Sequence, residues 1–303
     1  MKSEERPRDL GCYAWQFECM TICEQEQATR VSAVDQPDGL PRFSVVVPAH
    51  NEAEFLGDCL ESLLGQDFAG GYEIIVVDNN STDGTADVAR AFGVTVTSEP
   101  RLGVCWARQS GTELAFGEIV VSTDADTVYD PGWLSRIDRA FRADPAVVAV
   151  AGPCRFVDAP RWGRLYASAL FRSVNFLSRI TGRVPYVAAA NLAFRRNEWE
   201  GYDTKATQGG DELDLLRRLR RRGRVRFDAS NPVFTSARRM QRGLAYNIAV
   251  TFLFYYVLGY SLNRLTGRTV VGMAPSFRTA SCRTASCRTG SRRTAGPRAK
   301  ESA

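Results

Sequence analysis

Asp124 and Asp126, two carboxylates one residue apart, close the run Glu118-Ile119-Val120-Val121-Ser122-Thr123-Asp124-Ala125-Asp126. A short apolar run of this kind reads as a buried strand, and alternation of Cβ directions predicts both carboxylates on one side of it. At the carboxyl end of such a strand they would face the crevice where open α/β sheets bind ligands. Two hard oxygen ligands there suit Mg²⁺ or Mn²⁺ bridging to a diphosphate. An isolated D-x-D is more often a solvated turn, so the case rests on its company.

That company is polar chemistry at other predicted strand ends. Pro48-Ala49-His50-Asn51-Glu52 follows the apolar Phe43-Ser44-Val45-Val46-Val47, and Asp78 closes Glu73-Ile74-Ile75-Val76-Val77. Asn79-Asn80-Ser81-Thr82-Asp83-Gly84 is turn and cap chemistry. Asn191 sits alone among small residues in Val187–Ala193, Gly210-Asp211-Glu212 opens a helix, and Arg238, Arg239 and Arg242 cluster near residue 240.

The elements that must position these groups alternate. A strand over 43–47 stops at Pro48, which cannot continue a ladder. A helix follows through Gln66, with Phe55, Leu56, Cys59, Leu60, Leu63 and Leu64 at helical spacing. Then come a strand over 73–77, a helix to about Phe92, a strand over 94–97, a helix over about 103–116 and the strand before Asp124. Next are a helix over 131–142 with Pro131 in its first turn, a strand over 147–151 and a helical pattern over 162–180. This order predicts an α/β fold: βαβ units, a mostly parallel sheet and helices on both faces. It puts Asn51, Glu52, Asp78, Asp124 and Asp126 along one edge. No G-x-G-x-x-G follows the first strand, and no Walker lysine motif occurs.

Composition bounds the rest. The chain has 303 residues, 44% hydrophobic, and a formal charge of +5 carried almost wholly by arginine. Its eight cysteines form no C-x-x-C pair and His50 is the single histidine, which argues against zinc and for a reducing compartment. No apolar stretch in the first 30 residues reads as a secretory signal, so we expect a cytoplasmic protein. Residues 1–41 read as a disordered leader and 42–240 as the folded domain. Over Arg278 to Pro297, within a basic tail over 275–303, a five-residue repeat has no apolar face to bury and reads as disordered. Leu244–Leu262 is nineteen residues without a charge, within an apolar helix over 244–265. Asn247, Thr251, Ser261 and arginines on both flanks favour a helix lying on the inner face of the cell membrane, or packed on the domain, over a span. The Arg217–Arg224 run reads as a solvated helix end complementing the dipole, not as a nucleic-acid surface.

Taken together, Val47-Pro48-Ala49-His50-Asn51-Glu52, Val77 to Thr85, Thr123-Asp124-Ala125-Asp126 and Gly210-Asp211-Glu212 resemble family 2 glycosyltransferases of the Rossmann-like GT-A fold, over residues 43 to 240. The resemblance implies a nucleoside-diphosphate-sugar donor, an acceptor hydroxyl on a glycan or lipid-linked molecule, Mg²⁺ or Mn²⁺, and inversion at the anomeric carbon. It assigns 42–130 to the donor and 131–240 to the acceptor. By it, Pro48, Asn51, Glu52 and Asp78 hold the nucleotide, and Asp124 binds ribose and the metal–diphosphate. Asp126 is the direct metal ligand, Asn191 lies in an acceptor-side loop, and Asp211 is the base. The acidic motif usually reads Glu-Asp, whereas Gly210 precedes Asp211 here and Glu212 follows it, so both remain candidates for the base. A Gln-x-x-Arg-Trp motif is missing and Arg238-Arg239-Met240-Gln241-Arg242 stands in its region. That implies transfer of a single sugar, with Arg238 or Arg239 on the diphosphate.

Two alternatives stay open on sequence. Asp124-Ala125-Asp126-Thr127-Val128 also fits a haloacid-dehalogenase-like phosphatase with Asp124 as nucleophile, though three βα units precede it and only Lys205 could supply the required lysine. A protein that binds a nucleotide sugar without turning it over is the other.

Overall fold

The computed structural model describes residues 40–204, 211–240, 243–246, 249–250, 254, 258 and 260–266. The expected leader, the basic tail and most of the apolar segment lie outside them. The first strand, β1 (Phe43–Ala49), is buried along its whole length, as a continuously apolar central strand must be. After it come α1 (Leu56–Leu64), β2 (Tyr72–Asp78), α2 (Thr85–Ala91), β3 (Thr95–Ser98), α3 (Val104–Glu113) and β4 (Ile119–Ser122). The chain continues through β5 (Thr127–Val128), α4 (Trp133–Ala143), β6 (Val147–Ala151), β7 (Cys154–Val157) and α5 (Arg161–Thr181). It ends with β8 (Leu192–Arg195), α6 (Asp211–Arg222), β9 (Arg224–Phe227), β10 (Val233–Ser236) and two short helices, α7 (Leu244–Tyr246) and α8 (Tyr260–Thr266).

Seven strands form the main sheet in the order β3-β2-β1-β4-β8-β6-β9, and a small sheet runs β5-β10-β7. In the main sheet only β8 is antiparallel to its neighbours. Helices cover both faces as expected. On one, Leu56, Leu60 and Leu63 of α1 and Trp133, Leu134 and Phe141 of α4 pack on Val45, Val47, Ile119 and Val121. On the other, Ala107 of α3 and Leu215, Leu216 and Leu219 of α6 pack with Val46, Val77, Val120 and Phe194.

The structure corrects the expectation at Pro48, which lies inside β1 instead of ending it. Its register partner is Val77 of β2, whereas pairing with β4 stops at Val46 opposite Ser122. The carbonyl of Val46, two residues earlier and so on the same side, faces β4. The missing N–H of Pro48 therefore points where no strand needs it. Likewise α1 ends at Leu64, and Gln66 is a stitch between helices. Its Nε2 donates to the carbonyls of Ser62 and Asp130, and its Oε1 accepts from the Leu134 N–H. Helix α4 starts at Trp133, with Pro131 just outside it.

Helix α3 lies close enough to the sheet to need a glycine. A Cβ on Gly111 would stand 2.4 Å from Val46 Cγ1 and 2.9 Å from Val77 Cγ2, whereas one on Gly57 of α1 meets only Phe92 at 4.0 Å. Both changes to alanine gain helix propensity, so packing decides the sign. Gly57→Ala should stabilise by up to about 1 kcal/mol and Gly111→Ala should destabilise by about 1–3 kcal/mol. Urea unfolding of the two variants checks the contrast.

Candidate active site

The acids predicted to share an edge do so, because parallel pairing sets the strand ends level. Ala49 of β1 pairs with Asp78 of β2, and Asp78 with Ser98 of β3. Beyond β4, both the N–H and Oγ1 of Thr123 donate to the Val46 carbonyl, at 3.1 and 2.7 Å. That double bond fixes where the chain leaves the sheet towards Asp124. The two aspartates lie in the turn after β4, not on the strand, so strand alternation does not set their directions. Each meets its own arginine. Arg108 Nη2 of α3 stands 2.7 Å from Asp124 Oδ1, and Arg238 Nη2 stands 3.0 Å from Asp126 Oδ2.

Arg238 also donates to both oxygens of Glu52, at 2.7 and 2.6 Å, and lies over the ring of Phe55 at 4.9 Å. Its side chain is 13% exposed, with Glu52 at 11% and Asp126 at 15%. Burial opposes the guanidinium charge, but the Glu52 hydrogen bonds and the fields of Asp126 and Asp124 more than offset it and raise its pKa. Thr235 of β10 donates to Asp126 Oδ1 at 3.3 Å, and the Ser236 N–H to the Asp126 carbonyl at 3.1 Å. The small sheet thus carries the Arg238 segment to the D-x-D turn. Beneath the turn, burial followed by the Asp126 and Asp124 charges pushes the Cys59 thiol up, so it stays protonated.

Asn51 and Asp78 take different parts. Asn51 has φ of 49°, a left-handed conformation that asparagine tolerates. Its Oδ1 accepts the Thr82 N–H at 2.5 Å and its own N–H donates to Ser81, which joins the first two turns. Asp78 holds a buried Oδ1 with no hydrogen-bond partner among the described residues. Next to it, Asn79 ties the carbonyls of Glu99 and Arg101 to the Gly103 N–H. Arg101, Ser110 and the Arg101 N–H all donate to the Glu99 carboxylate. Arg101 first, then Ser110, hold that carboxylate at about 2. Arg101 stacks on Trp106 at 3.7 Å.

Asn191 requires a correction of role. It is 2% exposed, its Oδ1 accepts from Trp133 Nε1 at 3.0 Å, and its Nδ2 donates to the Asn231 and Pro153 carbonyls. With its polar atoms engaged inside the domain, it anchors the wall behind the site rather than presenting an amide to an acceptor. Asp211 is the first residue of α6, but its side chain, like that of Arg239, lies outside what the structure describes. Glu212 is half-buried in the first turn.

Sequence reasoning missed Arg108, Thr123, Thr235 and Glu99. Arg108 alone left a signal: a charge embedded in the otherwise neutral first two turns of a helix that packs on the sheet.

Among the described residues no group of three or more His, Cys, Asp or Glu gathers to hold a metal. Mg²⁺ typically takes one or two carboxylates and completes its shell with phosphates and water. The hard oxygens of Asp124 and Asp126, both paired with cations here, fit that pattern.

Residues 44–199 match the family described as glycosyl transferase family 2, and the chain belongs to that family. It is 36% identical over 104 residues to glycosyltransferase AglE of Haloferax volcanii, covering 32% of this chain and 34% of that one. It is 33% identical over 104 residues to a PGL/p-HBAD biosynthesis glycosyltransferase of Mycobacterium tuberculosis, covering 32% and 40%. The chain therefore spans well under half the length of these relatives. Among solved structures, a mannosyltransferase from Pyrobaculum calidifontis in complex with GDP-Man and Mn²⁺ superposes with a TM-score of 0.55 at 24% identity, covering 78% of this chain and 69% of that one. TarS of S. aureus in complex with UDP-GlcNAc gives 0.52 at 19%, covering 73% and 69%. The fold is GT-A. The family match runs unbroken through the βα units before Asp124, which removes the support for a phosphatase domain opening there.

Two predictions follow from these ion pairs. Arg238→Met leaves two half-buried carboxylates facing each other and should cost about 3–5 kcal/mol, largely recovered when Glu52→Gln is added; chemical denaturation of the single and double variants reads this. The Glu99 carboxylate is held below its ordinary range, so its stabilisation is full above about pH 5 and fades as pH falls towards 2. Glu99→Gln should flatten that part of a stability-against-pH curve.

Proposed function

We propose that the protein transfers a single sugar from a nucleoside-diphosphate sugar to an acceptor hydroxyl, with inversion and with a divalent metal. The observation that carries the reading is Asp78. A buried carboxylate oxygen without a donor is costly, and this one sits level with the D-x-D turn on the sheet edge. A nucleobase N–H or ribose hydroxyl would satisfy it. The ligands named for structural neighbours, GDP-Man, UDP and UDP-GlcNAc, support the same donor class.

In this reading Pro48 and Asn51 shape the nucleotide pocket and Glu52 holds Arg238. Arg238 or Arg239 would meet the diphosphate, and Asp124 would contact ribose. Asp126 and Asp124 would hold Mg²⁺ or Mn²⁺, which supplies charge neutralisation to the leaving nucleoside diphosphate. At the start of α6, Asp211 or Glu212 takes the acceptor hydroxyl proton. The acceptor oxygen bonds to the anomeric carbon as the bond to the diphosphate oxygen breaks. The acceptor is a glycan or lipid-linked hydroxyl reached from the cytoplasmic side of the membrane. Without a working base, the same site would only bind the nucleotide sugar.

Isothermal titration with nucleoside diphosphates tests the donor side. Asp78→Ala should weaken binding by about ten- to a hundredfold, the worth of a hydrogen bond to a charged group. Asp126→Ala should abolish the metal-dependent part of binding. Asp211→Asn should keep donor binding and lower transfer by about 10²–10⁴; full transfer in that variant would move the base to Glu212.

A further inference from the structure

Helix α5 buries one face and leaves the rest of its circumference without a cover among the described residues. Gly163, Ala167, Phe171 and Val174 face the domain. At about 100° per residue, Leu165, Tyr166, Phe176, Leu177 and Ile180 fall on a single exposed arc. Leu165, Phe176 and Ile180 are 71%, 63% and 66% exposed. The arc on its other flank carries Arg161, Arg164, Arg172 and Arg179, all exposed, and the helix has no acid. An apolar stripe beside a row of arginines is the pattern of a helix lying in a membrane interface.

The end of α5 adds a second, independent observation. Just past Ile180, a cavity of about 160 Å³ is lined by Gly182, Arg183, Val184, Arg220, Arg224 and Val225. Arg224 is paired with Asp144. The Nε and Nη2 of Arg220 are buried with no partner among the described residues. Burial, then the like charges of Arg183 and Arg217, weaken the hold of Arg220 on its proton. Buried donors among like charges are satisfied by an oxyanion.

We propose that α5 is a membrane-docking helix: its apolar stripe inserts into the interface of an anionic phospholipid bilayer, and the Arg183–Arg220 cavity at its end takes a lipid phosphate. Charge complementarity selects this occupant over a second copy of the chain, which would bring the same arginines against each other. This goes beyond the transferase reading and does not depend on it. It also places the contact on α5, in addition to the 244–265 segment expected from sequence. The other end of α5 lies at the site: Gly163 packs on Met240, and Trp162 joins the cluster of Ala237 and Met240. Lying along the bilayer, α5 would bring the mouth beside Arg238 near the lipid surface.

The test is flotation of the full chain with phosphatidylcholine vesicles and with phosphatidylcholine–phosphatidylglycerol vesicles, at low and high salt. The exposed pair Phe176→Ser with Ile180→Ser, and separately Arg183→Gln with Arg220→Gln, should each weaken binding to the anionic vesicles by about tenfold or more. Melting temperature and nucleotide affinity should stay at parental values in both. Parental binding should be weak on neutral vesicles and fall with salt. Unchanged flotation of both variants would overturn the proposal, as would absence of anionic-vesicle binding by the parent. So would saturation of the arginine cavity by inorganic phosphate with no effect of the Phe176 and Ile180 changes on vesicles, which would make it a free-anion site. Loss of a dimer in the Phe176 and Ile180 variant, with vesicle binding intact, would assign the stripe to self-association and reject the membrane.

Discussion

The Glu52–Arg238–Asp126 contact is what the rest of the site depends on. Arg238 lies 186 positions from Glu52 in the chain, and one guanidinium holds the turn after β1 and the turn after β4 together. Neither carboxylate is tolerable this close to the other without it, since two like charges in a shielded place raise each other's energy steeply. The fold must therefore return the chain, through β10 of the small sheet, to a point above the strand ends. β10 does this by pairing with β5, which directly follows the D-x-D turn. Under the proposed function the same arrangement would suit a diphosphate: the arginine stays charged, beside carboxylates that would hold a cation.

A second knot, built on amides and an indole, keeps that geometry rigid. Asn191, Trp133 and Asn231 exchange hydrogen bonds inside the domain, and Arg136 donates to Asn231 Oδ1 at 2.7 Å. Gly152 has to be a glycine beside them, since a Cβ there would stand 2.4 Å from both Asn191 Nδ2 and the Asn231 carbonyl. The knot joins α4, the end of β6, the start of β8 and the approach to β10. Each polar atom has its partner, which is the condition under which a buried network specifies one arrangement rather than several.

Much of this was legible because it was local. Strand and helix periods, the level strand ends and the acids on the edge are properties of short windows, and they came through with small errors at the ends. Pro48 was misread because the direction of its absent N–H depends on how far β4 extends, which no window around residue 48 contains. Arg108 against Asp124, Thr235 against Asp126 and Trp133 against Asn191 are long-range pairings, and the pattern of one partner does not reveal the other. Asn191 stood out correctly as a polar residue among small ones. What its isolation signalled was a buried amide with all its bonds made, a reading that required the fold. The 162–180 segment showed helical spacing of aromatics, leucines and arginines; only exposure separates its apolar arc from its buried face.

The central claim is that the sheet edge framed by Asp78, Asp124, Asp126 and Arg238 holds a nucleoside diphosphate together with a divalent cation. A thermal-shift panel of UDP, GDP, TDP and CMP, each with Mn²⁺, Mg²⁺ or EDTA, tests it most directly, because a ligand that binds only the folded state raises the melting temperature by mass action. The account predicts a shift with one nucleoside diphosphate that is present with metal and lost in EDTA. Equal melting temperatures across the whole panel, at ligand concentrations well above a millimolar-range Kd, would contradict it.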